Sequence, residues 1–458
     1  MLCALPAELL ASVVASLPSV EEIGRLDRVC RLFHGPPFLI CLSLKIRAAA
    51  AGEATEPPTG WEASQQSWLV FCERRRRIGG RQTIAAGNNH SLCLDASGDV
   101  HSSGSSRFLG HQVQPVGLGH GDGVVELSVL TRLSVLSGIK ASSVAAGAAH
   151  SLVVTDIGRV YSFGRGHHGP LGHHDEDDAA FPWMQQDQHV PKLVDALRDV
   201  NVVAAAAGEY HSMALSDYGH VYSWGSGSDG CLGHGNQQSQ YTPKLVDALH
   251  NEKIVAIAAG ILHSVALTNA GRIYSFGEGS HGKLGHGDAQ DQHTPKLVGS
   301  LCDVKVAAIS ARGEFNLALT DAGHVYSWGN GFGRRLGHSD EQDQLTPRLV
   351  ETLHNERLVA VAAGNYHGLA LTDTGCVYSW GHGICGVLGH GDEHDHAMPQ
   401  RLNMLLDVKV VAVAAGFAHS MALTNTGHVY SWGRGTDGRE SSTVRYGMQP
   451  ELCACSGL

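Results

Sequence analysis

Residues 254–277 read Ile-Val-Ala-Ile-Ala-Ala-Gly, then His-Ser-Val-Ala-Leu-Thr, then Arg-Ile-Tyr-Ser-Phe-Gly, three short apolar runs cut by glycine. Runs this short, rich in β-branched and aromatic residues and bounded by turn formers, predict strands and not helices. Asn269-Ala270-Gly271, Asp321-Ala322-Gly323, Asp373-Thr374-Gly375 and Asn425-Thr426-Gly427 each place an Asx residue before a glycine able to take positive φ, the chemistry of a short bulged hairpin. The same block recurs along the chain. The glycine closing the small-residue run stands at 87, 147, 208, 260, 364 and 416, with Arg312 in the remaining slot, and the steps are 60, 61, 52, 52, 52 and 52 residues. A second glycine, closing Tyr-Ser-Trp-Gly or its variant, keeps phase at 104, 164, 225, 277, 329, 381 and 433. A repeat of this length is one supersecondary unit that buries its apolar faces only against its neighbours.

The small residues before the first glycine suit strands crowded around an axis, and the aromatic of Tyr-Ser-Trp-Gly suits the face between neighbouring units. Thr294-Pro295-Lys296-Leu297-Val298 supplies a fourth strand at the outer edge, where proline removes no ladder bond. The predicted fold is mainly β, a seven-bladed β-propeller over residues 81–458. If a blade runs from the aromatic strand into the next Ala-Ala-Gly hairpin, residues 429–452 complete their blade with residues 82–96 and close the ring without a covalent link.

Val-Tyr-Ser-Trp-Gly, Leu-Gly-His-Gly, Thr-Pro-Lys-Leu-Val and Ala-Ala-Gly-x-x-His-Ser-x-Ala-Leu-Thr together resemble the regulator of chromosome condensation repeat over residues 81–452. Kelch and WD-type propellers fit less well, because neither a double-glycine strand nor a recurrent Trp-Asp pair is present. The resemblance implies a binding protein or a nucleotide exchange factor for a small GTPase, the role of the family's founding member. One branch of the family senses ultraviolet light through Gly-Trp-Arg-His-Thr motifs. Here the residues after the glycine are Asn-Asn, Ala-Ala, Glu-Tyr, Ile-Leu, Asn-Tyr or Phe-Ala, which rejects that role.

Residues 1–50 carry a different pattern. Leu9, Leu10, Val13 and Leu17, then Ile23, Leu26, Val29, Cys30 and Phe33, fall at helical spacing, with Ser19 and Glu22 placed as a capping box after Pro18. The order Leu5-Pro6, Glu8, the apolar stripe, Leu17-Pro18 and Arg28-Val29-Cys30-Arg31-Leu32-Phe33 resembles an F-box, although the usual late tryptophan is missing from Pro37–Leu44. The resemblance puts Leu5, Pro6, Leu9, Leu10, Leu17, Leu26, Val29 and Cys30 against a Skp-type adaptor within a cullin ubiquitin ligase, with the propeller recruiting an unknown protein substrate. A plain helical cap on the propeller is the alternative. Residues 51–80 are expected to be a linker and a connecting helix around Trp68.

Composition narrows this further. Against 57 glycines there are 15 prolines and 17% charged residues, the balance of a turn-rich β protein. Residues 1–80 hold 9 Lys+Arg and 8 Asp+Glu and so carry +1, which leaves about −12 on the propeller out of the chain's formal −11. That balance disfavours direct binding to nucleic acid. Eleven cysteines without a shared repeat position suggest a reduced, intracellular chain, and no membrane span or secretory leader is expected. Cytoplasmic residence is the expectation, with the nucleus left open. Arg74 to Arg77 read first as favourable charge at a helix end and only second as a nuclear address.

Histidines 90, 150, 211, 263, 367 and 419 share one slot, and 120, 173, 234, 286 and 390 another. Symmetry spreads them around a ring, so turn-stabilising hydrogen bonds are expected and neither catalysis nor a metal centre. The His173–Asp175 and His390–His396 loops are read as solvated turns ahead of weak cation sites. No nucleophile, phosphate-cradling or zinc motif is present, and no cofactor is implied. Candidate partner residues are sought where the repeat breaks. One break is the loop holding Asp175–Asp178 and Phe181, Trp183 and Met184, where residues 175–189 are the one stretch long enough to act as an exchange wedge. Another is Arg312-Gly313-Glu314-Phe315-Asn316, which replaces Gly-x-x-His-Ser and reads as drift, with Arg312 and Phe315 as what a partner would meet. The first unit, where Ser103 takes the aromatic slot, is expected to pack most loosely.

Overall fold

A computed structural model describes residues 83–105, 118–120, 126–173, 186–434 and 451–453. The expected adaptor surface, Leu5 through Cys30, lies outside the described residues, as do Phe181, Trp183 and Met184. The chain divides into two units, Met1–Gly79 and Gly80–Leu458, and every described residue belongs to the second.

Glycine-bounded runs of three to seven residues form 28 strands, which pair into seven four-stranded antiparallel sheets. Blade 4 is representative, with Ile254–Ala259, His263–Thr268, Ile273–Gly277 and Gln292–Leu297 adjacent in that order. Its register pairs Ala258 with Val265, Ser264 with Phe276 and Tyr274 with Leu297. The hairpin between second and third strands turns at Gly271, where φ is +81°, a region a residue with a Cβ enters at a cost. Pro295 sits on the fourth strand, which pairs on one side alone. The chain is therefore a seven-bladed propeller. Blades 1 to 7 begin at Ile84, Ala141, Val202, Ile254, Val306, Leu358 and Val410.

Ring closure differs from the strand-sharing arrangement. The last sheet is made from Val410–Ala415, His419–Thr424, Val429–Gly433 and Glu451–Cys453, and Ile84–Ala86 stays in its own blade. No blade borrows a strand, so contacts between faces must hold the ring shut.

Those faces are filled by repeated parts. Trp224, Trp328, Trp380 and Trp432 each lie against the preceding blade, and each donates its indole N–H to a carbonyl there, of Pro170, Lys283, Arg335 and Val387, at 2.8–3.0 Å. Gly172 and Gly337 of Leu-Gly-His lie so close to those indoles that a Cβ would come within 2.9 Å. After the fourth strands of blades 1 to 6 an apolar pair three residues apart brackets a single 3₁₀ turn, as Val298 and Leu301 do, both almost wholly buried. Fully burying one such side chain stabilises by about 1.5–3 kcal/mol. This pair was legible in Val-Gly-Ser-Leu, Val-Asp-Ala-Leu and Val-Glu-Thr-Leu but carried no glycine to draw attention to it.

The junction of blades 7 and 1 lacks an aromatic wedge, because Ser103 stands in the slot that holds Trp or Phe, including Phe163 and Phe276, in the other blades. Its buried cluster among the described residues is Ile84, Ala86, Cys93, Ala414, Met421 and Val429, smaller than the nine to eleven residues at other junctions.

Candidate functional site

Turns between first and second strands and loops between third and fourth strands emerge at one end of every blade. They form a loop face around the hub. The first set of histidines lies just beneath it, and each reaches out of its own blade. Nε2 of His90 bonds Ser151 Oγ, His150 bonds Ser212, His211 bonds Ser264, His367 bonds Ser420 and His419 closes the circle on Ser91, all at 2.9 Å. His263 bonds Asn316 Oδ1 at 2.9 Å. Asn316 fixes the polarity, since its Nδ2 donates to Lys283 O and leaves Oδ1 to accept from His263 Nε2–H. The serines follow suit: Ser264 Oγ donates to Cys231 O and so accepts from His211.

The other ring nitrogen, Nδ1, has no partner in His211, His263 and His367. It rests on the glycine of the same turn; at Gly87 a Cβ would stand 2.5 Å from the His90 ring. Burial, with positive neighbours adding to it, pushes His90, His150, His263 and His367 down to about 3, and His211 and His419 to about 4. At neutral pH all six are uncharged hydrogen-bond donors. They are the bolts of the ring, and they bridge blades instead of bracing turns.

The second set braces loops, as expected. His173, His234, His286 and His390 bond the serine of Tyr-Ser-Trp/Phe in their own blade at 2.8–3.1 Å, and that serine donates to the leucine carbonyl of Leu-Gly-His. His338 belongs with them through Ser327 at 3.0 Å. Its Leu-Gly-His-Ser context hid it, because the others are mostly read through Leu-Gly-His-Gly.

One junction breaks the histidine circle, and three residues change together there. Phe315 takes the histidine slot, Gly368 takes the serine slot of the next blade, and Arg312 takes the glycine slot. Phe315 is fully buried in one cluster with Trp380, so it presents no surface to a partner. Trp380 lies directly over the Gly368 Cα, where any Cβ would enter the indole. With no imidazole folded over that turn, the glycine slot accepts a side chain.

Arg312 uses this freedom to cross the hub. Nε donates to Asn365 Oδ1 at 3.1 Å, one terminal nitrogen to Ala86 O and Ala146 O at 2.8 and 3.1 Å, and the other to Asn88 Oδ1 at 2.9 Å. Blade 5 is thereby tied to blades 6, 1 and 2, including Ile84–Ala86 on the blade 1 side of the seam without a wedge. Burial lowers Arg312 to about 10, with Glu209 opposing, so it stays charged. The drift expected here is a cross-tie. Among the described residues the hub cavity it lines, with Asn88, Glu209 and Asn365, measures about 10 Å³, the room of one water. A second cavity between blades 2 and 3, lined by His150, Arg165 and Tyr210, measures about 20 Å³. Neither approaches the several hundred cubic ångströms of a metabolite site.

Among the described residues no group of three or more His, Cys, Asp or Glu is placed to hold a metal ion. In the acidic histidine loop, His390 and His396 stack at 4.5 Å and exposed His394 pairs with Asp392 at 3.5 Å. Among the described residues Cys93, Cys231, Cys302, Cys376 and Cys385 form no disulfide. No described helix is long and apolar enough to cross a membrane.

The blade geometry, the aromatic wedges and the repeated glycines define a propeller of the regulator of chromosome condensation type. The RCC1-like domain family matches residues 109–450 and the RCC1 repeat matches 82–108, and the chain belongs to this family. It is similar to the ultraviolet-B receptor UVR8 of Arabidopsis thaliana, 36% identical over 291 residues, 63% of this chain and 64% of that protein. It is also similar to the E3 ubiquitin-protein ligase HERC2 of Homo sapiens, 34% identical over 345 residues, 74% of this chain and 7% of that protein. The chain thus spans under two thirds of the first and a small part of the second. Among solved structures, human WBSCR16 superposes with a TM-score of 0.64 at 25% identity, covering 75% of this chain and 87% of that one. Prp20p of Saccharomyces cerevisiae, described with binding properties to Gsp1p and histones, gives 0.64 at 25% identity over 74% and 81%.

Proposed function

We propose that the chain is a non-catalytic recognition subunit of a cullin/Skp-type ubiquitin ligase, whose propeller binds a target protein while residues 1–50 dock the adaptor. The observation that carries the recognition half is the commitment of the hub histidines. Six side chains of a type that performs acid–base chemistry, five buried and His419 half-buried, are neutral and spent on joining blades. What the ring leaves for other work is its loop face. The adaptor half rests on the F-box-like order of Leu5, Pro6, Leu9, Leu10, Leu17, Leu26, Val29 and Cys30.

A second reading, nucleotide exchange on a small GTPase, is favoured by the likeness to Prp20p and its description with Gsp1p. Residues 175–189 would supply the wedge, with Phe181, Trp183 and Met184 at the contact. The deciding experiment is a pull-down with purified Skp-type adaptor, using the intact chain, Leu9→Asp/Leu10→Asp, and a chain lacking residues 1–50. Capture by the intact chain alone supports the ligase reading. No capture by the intact chain refutes it, and release of labelled GDP from a GTPase panel is then the assay.

A further inference from the structure

On the loop face of blades 5 to 7 the ring carries side chains it does not use. Phe332 is 59% exposed and Ile384 43% exposed, each at the tip of a loop between third and fourth strands. Between them His382 stands edge-on to Phe332 and to Tyr366, with centroids 6.4 and 6.2 Å apart, and Tyr366 meets Phe417 at 5.4 Å. Tyr366 and Phe417 occupy the turns beside the hub, so the patch is continuous from the mouth of the channel to the rim. It is a shallow strip with no repeat-wide duty. The equivalent turn residues elsewhere are Asn88-Asn89, Ala148-Ala149, Glu209-Tyr210, Ile261-Leu262 and Gly313-Glu314, so Tyr210 alone repeats the aromatic of the Tyr366 slot.

Arginines without direct ion pairs underlie this strip, while its His382 pairs with Asp395 at 2.9 Å and Arg335 itself is buried. Arg335 stacks beneath it, its guanidinium carbon 4.8 Å from the Tyr366 centroid and 5.7 Å from that of Phe332, and it donates to the carbonyls of Asn365 and Phe332. Arg312 grips the same Asn365 through its side-chain oxygen. Arg434, at the end of blade 7, acts on Cys385 beside Ile384. Among the described residues none of these three arginines has a carboxylate at ion-pair distance. Arg132, Arg198, Arg334, Arg348 and Arg357 all do, while Arg159, Arg165, Arg272 and Arg401, elsewhere among the described residues, also lack one. The carboxylates nearest Arg335 are engaged elsewhere: Glu314 with Lys283 and Asn330, and Asp343 with His281 and the Gly331 N–H.

We infer that this strip is the docking site for an acidic peptide segment of a partner protein, anchored by an aromatic or large aliphatic side chain among Phe332, Tyr366 and Phe417. The charge pattern argues for that occupant. The propeller carries about −12 overall, so an acidic segment is repelled by most of its surface and is attracted where guanidinium groups lack counter-charges. Exposed aromatics supply the anchor pockets that concentrate binding energy. The inference deepens the proposed recognition role and rests on it, but it does not depend on the adaptor.

The test pans a random dodecapeptide display library against the full chain. A fluorescein-labelled peptide from the enriched pool is then measured by anisotropy on the intact chain, on Phe332→Ala/Tyr366→Ala and on Arg434→Glu. Tyr218→Ala, on the opposite end of blade 3 and 78% exposed, is the control. The expected result is a pool enriched in Asp and Glu around one apolar residue. Affinity should fall roughly tenfold or more on both patch variants and stay unchanged on the control, with added salt weakening it. Should Phe332→Ala/Tyr366→Ala fail to fold, as judged by its urea midpoint, Arg434→Glu alone decides. A pool with no acidic bias, no enriched pool, or acidic peptides indifferent to the variants would overturn the inference. An enriched pool that maps elsewhere on the propeller overturns it while leaving the recognition role standing.

Discussion

Acidification tests the histidine circle. His90, His150, His211, His263, His367 and His419 are held at about 3 to 4 in the folded chain, against 6.5 when exposed. Their folded values are depressed, so the stability they contribute is fully present above 6.5. It is lost as pH falls from there toward 3, because the unfolded chain takes up protons that the folded chain refuses. Between pH 7 and pH 6 each histidine that stays neutral when folded costs on the order of 1 kcal/mol or a little less, and the six together a few kcal/mol. The outer histidines His234, His286 and His390, also lowered by burial, add in the same direction. Urea unfolding followed by tryptophan fluorescence is the assay, since Trp224, Trp328, Trp380 and Trp432 report on the junctions themselves. A His150→Gln chain keeps a donor for Ser212 and should lose roughly one sixth of the circle's pH dependence. A stability that rises toward pH 6, or changes by under about 1 kcal/mol, would refute neutral, buried imidazoles as the bolts of the ring.

Other perturbations probe the broken junction. Arg312→Met keeps the aliphatic stem but strands the carbonyls of Ala86 and Ala146, and should cost about 3 kcal/mol in urea unfolding. Hydrogen exchange should rise first at residues 84–86, beside the seam without an aromatic wedge. Arg312→Lys should recover little, because one ammonium cannot serve four separated acceptors. Gly368→Ala drives a methyl into Trp380 and should destabilise by about 1–3 kcal/mol, with part of the loss recovered when Trp380→Phe is added. The same methyl at Gly299, which faces open space, should change the urea midpoint little.

What the sequence revealed follows from the reach of each interaction. Strand order, hairpin turns, the edge position of Pro295 and the placement of tryptophans between blades are local or repeat-periodic. Each leaves a signal every 52 or about 60 residues. The direction of the first histidines was harder, because a bond to a turn and a bond to the next blade look alike at the same slot. The chain that links Arg312, Phe315 and Gly368 looked like drift for a related reason. Its members are 53 residues apart at Phe315 and Gly368, and Arg312 meets Ala86 across 226 residues. No period records such a contact. Closure was misjudged because the repeat's phase fixes the strands but not which of them share a sheet. Blade topology depends on pairing at the two ends, and residues 451–453 pair with Val429–Ser431 in their own blade.

The measurement that bears most directly on the recognition-subunit account is the mass of the complex formed when the intact chain and a Skp-type adaptor are mixed and eluted together under light scattering. The account predicts a one-to-one complex that Leu9→Asp/Leu10→Asp abolishes while the propeller's urea midpoint stays unchanged. Separate elution of intact chain and adaptor at micromolar concentration would contradict it.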